Sequence, residues 1–185
     1  MYKISHLFFE LIQVAIGHRN KLSHAPTEGE WTELFELSHK QAVVGVAFLA
    51  LDKLNKEGQK PPLALLFEWI GCAEQIKKQN YTINERCAEI TEFFKNEGYR
   101  SCILKEQGNA LMYSDPFSRS SGDIDIWVEG EREVIRELVF SRCPNAEDSS
   151  LHINFPLFKD VEVEVHYNAR HTPVPKYNKK TSVVD

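Results

Sequence analysis

Apolar positions follow a helical period up to Gly98 and fall into short β runs separated by turns after it, so the chain changes texture there. Leu7, Phe8, Leu11, Ile12 and Ala15 recur at helical spacing from Ile4 to Gly17, where the glycine stops the element. Thr27 followed by Glu30 has the form of a capping box, with Trp31, Leu34, Phe35 and Leu37 opening the helix behind it. His39-Lys40-Gln41 leads into a third helical segment, Ala42 to Leu54, closed by Gly58 and Pro61-Pro62. A long helix is predicted from Pro61 or Pro62 to Gly98, on a stripe that includes Leu65, Trp69, Ile76, Ile83, Ile90 and Phe94. At 1.5 Å per residue it would reach roughly 50 Å, either as one strut or broken near Asn80.

After Gly98 the runs shorten. Arg100 to Leu104 reads as a strand ending in the turn Lys105-Glu106-Gln107-Gly108-Asn109, and Ala110 to Tyr113 as a short helix that Asp115-Pro116 stops. Ser120 to Val128 reads as a strand entered from a Gly-containing turn, and Glu131 to Ser141 as a helix buried along Val134, Ile135, Leu138 and Val139. His152 to Phe158 and Val161 to His166 read as a hairpin joined at Lys159-Asp160. Beyond Asn168 the chain is polar, with two prolines and no evident element. The predicted class is α+β, with an all-helical region over 1–98 and an α/β region over 99–185.

Alternation puts chemistry on one face of two strands. Asp123 and Asp125 point one way while Ile124 and Ile126 point the other; later, Glu162, Glu164 and His166 oppose Val161, Val163 and Val165. Adjacent carboxylates repel and raise each other's pKa unless a cation lies between them, and oxygen-only ligands suit Mg²⁺ or Mn²⁺. The bland reading is a solvent-facing edge strand whose polar face happens to carry two acids. A calcium loop fails, because Val128 stands where that loop needs glycine and Trp127 replaces an oxygen ligand.

Composition narrows the field. A net charge of -5 and the absence of a Lys/Arg cluster before the C-terminus argue against general nucleic-acid coating, while leaving room for a local basic pocket. Cys72, Cys87, Cys102 and Cys143 are widely spread, which disfavours a zinc site or a disulfide framework and points to a reduced, cytoplasmic setting with the thiols as small buried hydrophobes. Glu10 and Gln13 interrupt the apolar run Leu7 to Ile16, so it reads as an amphipathic helix, neither an export signal nor a membrane span.

The order strand, turn, short helix, Asp-x-Asp strand, helix, acid-bearing hairpin resembles the nucleotidyltransferase fold of the DNA-polymerase-β-like superfamily. More narrowly, Ile103-Leu104-Lys105, Gly108, Tyr113, Arg119, Gly122-Asp123-Ile124-Asp125 and Glu164-Val165-His166 resemble an uncharacterised bacterial nucleotidyltransferase family, and Trp31 with His39 to Val43 fits its helical N-terminal region. The resemblance implies a small mixed sheet and transfer of a nucleoside monophosphate from an NTP to an unidentified hydroxyl. It further implies that Asp123, Asp125 and Glu164 hold Mg²⁺ or Mn²⁺ and act in catalysis, and that Lys105, Gly108, Asn109, Arg119 and Gly122 contact phosphate. His166 stands as a supporting group, a core residue or a ligand, while Lys105 and Arg119 can equally pair with the acids; Tyr113 reads as packing. Two departures support an alternative, an impaired relative that binds a nucleotide or a partner protein. Glu106 occupies the place of the family's turn glycine, and family members continue with helices past the third acid, so the core is expected to be cut short. A nucleotide-sugar glycosyltransferase is disfavoured, since the half preceding the triplet is helical.

Overall fold

A computed structural model describes residues 2–169 of the chain; the polar tail read past Asn168 lies almost wholly outside the described residues. The fold is α+β, with helices first and a small mixed five-stranded sheet after them. Two compact units are formed, Met1–Thr82 with Ala110–Ser121, and Ile83–Asn109 with Gly122–Asp185.

The first unit is helical. α1 (Tyr2–Ala15), α2 (Glu28–Lys40), α3 (Val44–Lys56) and the start of α4 (Leu63–Asn96) bury Leu7, Leu11, Trp31, Leu34, Ala47, Leu54 and Trp69 in one core. The capping box forms: Thr27 Oγ1 accepts from the Glu30 N–H, and the Glu30 carboxylate accepts from the Thr27 N–H. α3 begins two residues later than the pattern suggests, because Ala42 adopts a left-handed φ of 53° that separates it from α2. The returning stretch 110–121 crosses α3 at Gly45, where a Cβ would stand 2.3 Å from the Ser118 carbonyl oxygen. Only glycine permits that approach.

α4 is continuous through Asn80, so of the two expected forms the single strut is the one found. Asn80 is instead a buried anchor. Its Nδ2 donates to the carbonyls of Ile76, Phe117 and Arg119, and its Oδ1 accepts from Ser121 Oγ. A helix tolerates a mid-span asparagine when the amide is engaged elsewhere.

The second unit contains β1 (Ser101–Ile103), α5 (Lys105–Ala110), β2 (Ile124–Val128), α6 (Arg132–Arg142), β3 (Glu147–Asp148), β4 (His152–Asn154) and β5 (Val163–His166). The sheet order is β1-β2-β5-β4-β3; β2 and β5 are parallel and the other pairs antiparallel. Ile83, Ile90 and Phe94 of α4 and Ile135 and Val139 of α6 share a core with Ile124, Ile126, Val128, Val163 and Val165.

Several local expectations change. The short helix occupies Lys105–Ala110, the stretch read as a turn, while 111–114 form turns. An internal Gly108 lowers helix propensity without forbidding a helix that packs, and a Cβ there would meet the Ile103 carbonyl at an ordinary 3.5 Å. Val134 is 46% exposed, so the buried stripe of α6 is narrower than predicted. The β4–β5 connection runs over 155–162 and is no tight hairpin, since Pro156 cannot donate to a ladder. No cysteine is fully buried; Cys102 is exposed, the other three are half-buried, and all four are free.

Candidate functional site

The acids meet because of how two strands pair. β2 and β5 run parallel with Asp125 beside Glu164 and Ile124 beside Val163, so the acidic side chains share one sheet face and the β-branched ones the other. Asp123 lies immediately before β2. Ligand oxygens of Asp123, Asp125 and Glu164 all fall within 4.8 Å of one another. Three carboxylates at this spacing form an oxygen-only donor set, which fits Mg²⁺ or Mn²⁺.

The backbone holds Asp125 firmly. Its carbonyl accepts from the Leu104 N–H at 2.8 Å, and the preceding Ile124 N–H donates to the Glu162 carbonyl at 2.9 Å. Its side chain is only 3% exposed, and a carboxylate that buried requires partners. Oδ1 accepts from Lys105 Nζ at 2.7 Å and from His166 Nε2 at 2.6 Å. The bond to Asp125 raises the pKa of the Lys105 ammonium above its ordinary value, with added pull from Glu164 and Asp123. Lys105 holds a left-handed φ of 40°, which costs a non-glycine residue about 1–2 kcal/mol. Lys105 opens α5 two residues after β1, and from there its ammonium reaches the acid.

The other expected contacts fall in different places. Gly108 and Asn109 lie within α5 and not in a turn before it. Gly122 is exposed, and a Cβ there would meet nothing. Arg119 belongs to the first unit, where its Nη1 donates to Ser121 Oγ at 3.1 Å. Tyr113 is 40% exposed and lines an apolar cavity of about 930 Å³ in that unit with Phe8, Ile12 and Met112.

Sequence reasoning missed His152. Its Nδ1 lies 3.3 Å from Glu164 Oε2. Alternation opposite Ile153 does place His152 on a polar face, but nothing local shows which strand that face adjoins. Among the described residues no helix is long and apolar enough to cross a membrane.

A family model described as an uncharacterised nucleotidyltransferase matches residues 27–182. No curated protein and no solved structure matches the chain.

Proposed function

The chain belongs to the uncharacterised nucleotidyltransferase family, and from that membership we propose that it moves a nucleoside monophosphate from an NTP to a hydroxyl acceptor, with Asp123, Asp125 and Glu164 as the metal-holding and catalytic groups. The supporting observation is the register that sets Asp125 beside Glu164 and gathers three carboxylates within 4.8 Å.

A bound Mg²⁺ or Mn²⁺ supplies charge neutralisation on the triphosphate and on the attacking and leaving oxygens. The chain's own groups do the rest. Glu164, 26% exposed, accepts the acceptor hydroxyl's proton as that hydroxyl's oxygen bonds to the α-phosphorus and pyrophosphate departs. Asp125 is the fixed member, oriented by His166. Lys105, whose side chain is 59% exposed, exchanges Asp125 for phosphate when nucleotide enters. The exposed backbone at Gly122 and the Gly108-Asn109 stretch are proposed phosphate contacts.

One observation favours the alternative of a nucleotide- or protein-binding module. Lys105 and His166 already satisfy Asp125 Oδ1, which gives the acid a structural role without any ion. Isothermal titration with each Mg-NTP, followed by an α-labelled NTP transfer assay, separates the two readings. Asp123→Asn should abolish metal-dependent NTP binding and leave the thermal melt unchanged. An Asp123→Asn protein with wild-type NTP affinity would refute the clamp; binding without transfer to any acceptor would favour the module.

A further inference from the structure

The sheet face that carries the acids also carries two imidazoles. β4 and β5 pair antiparallel with His152 directly opposite His166, so the rings stand side by side with centroids 5.3 Å apart. Glu164, two residues before His166, shares their face. Its Oε2 is 3.3 Å from His152 Nδ1 and 3.3 Å from His166 Nε2, the nitrogen that donates to Asp125 Oδ1 at 2.6 Å and must give up that bond and its proton to take an ion. Donor atoms of the three residues lie within 4.8 Å of one another. The side chains are 23%, 26% and 11% exposed for His152, Glu164 and His166, open enough for an ion to reach and covered enough to be held.

The donor types select a kind of ion, and the two known separations are compatible with it. Four-coordinate Zn²⁺ binds imidazole nitrogen and carboxylate oxygen at about 2.0–2.2 Å, which puts tetrahedral neighbours about 3.3–3.6 Å apart. Both Glu164-to-imidazole separations fall at the lower edge of that window. Mg²⁺ prefers oxygen and gives up water reluctantly, whereas imidazole suits zinc and its neighbours.

We infer that His152, Glu164 and His166 form a second cation site, selective for a divalent transition metal of the Zn²⁺ class over Mg²⁺. It shares Glu164 with the oxygen-only cluster and does not depend on nucleotide transfer. His152 belongs to this set alone and Asp123 to the other alone, so the two can be broken separately.

The test is Zn²⁺ titration of the chelator-treated full chain by calorimetry in millimolar Mg²⁺, repeated with Co²⁺, whose visible absorption reports the ligand type. Wild type should bind one Zn²⁺ equivalent that Mg²⁺ does not displace. His152→Ala should weaken it by more than about tenfold. His152→Gln, which keeps a hydrogen-bond donor near Glu164, should do the same and gives the reading if the alanine protein fails to fold. Asp123→Asn should bind Zn²⁺ as wild type does. Equal Zn²⁺ affinity in wild type and both His152 variants, displacement by Mg²⁺, or a Co²⁺ thiolate band from one of the free cysteines would each overturn the inference. Loss of NTP binding with Zn²⁺ binding intact would instead count against the proposed transferase alone.

Discussion

Lys105→Met isolates what the ammonium does for Asp125. At 2.7 Å the pair is worth about 1.5 kcal/mol by Coulomb's law in bulk water and about 6 kcal/mol at an effective dielectric of 20. Neither limit applies, since Asp125 is 3% exposed and Lys105 is 59% exposed. Exposed pairs contribute about 0.2–1 kcal/mol, and breaking a buried pair costs about 3–5 kcal/mol. His166 stays on the same oxygen, so a net loss of about 1–2 kcal/mol is expected for the metal-free protein. Methionine keeps the stem and the same demand on the left-handed backbone, so the charge alone is removed. If the carboxylates hold Mg²⁺, the ion replaces the missing positive charge, and the deficit should shrink in Mg²⁺ relative to chelator. Urea unfolding of both proteins in each condition measures this. A deficit of equal size with and without Mg²⁺ would refute the idea that ammonium and ion compete for one carboxylate, and no deficit in chelator would show that His166 alone suffices.

Gly45→Ala forces a Cβ against the Ser118 carbonyl and should destabilise by at least the 1–3 kcal/mol typical of overpacking, read as a lowered thermal midpoint. Asn80→Ala removes the amide that engages three carbonyls and the Ser121 hydroxyl, and should cost about 2–4 kcal/mol in denaturant unfolding. Thr27→Ala should cost about 1 kcal/mol through the lost cap. The Thr27 backbone N–H, donating to Glu30, holds that carboxyl at a pKa of about 2, below its ordinary 4.5. A depressed carboxyl stabilises the fold above its unfolded value and loses that contribution as pH falls from 4.5 towards 2, so Glu30→Gln should flatten acid unfolding in that window, followed by circular dichroism.

Local periodicity was enough to reveal the α+β class, the capping box and the assignment of acids and β-branched residues to opposite strand faces. Each depends on side chains a few residues apart, which helix and strand geometry bring together whatever the rest of the chain does. The shared face of Asp123 and Asp125 and the polar face that carries Glu164 were legible for that reason, whereas joining Glu164 to the aspartate pair was an implication of the family resemblance. Other features required distant partners. Whether the long helix breaks near Asn80 stayed open because that residue's anchors, Phe117, Arg119 and Ser121, lie some forty residues on, and Gly45 carried no sign of the Ser118 carbonyl passing over it. Turn chemistry at Gly108 and Lys159-Asp160 misled for a related reason: packing chose helix at the first, and Pro156 widened the loop at the second. The sequence alone determined which side chains can share a face. Tertiary structure decided which faces adjoin, because the parallel register of β2 with β5 and the antiparallel register of β4 with β5 join residues too far apart for any local period to relate. Those two registers bring His166 onto Asp125 and Glu164, and His152 onto Glu164.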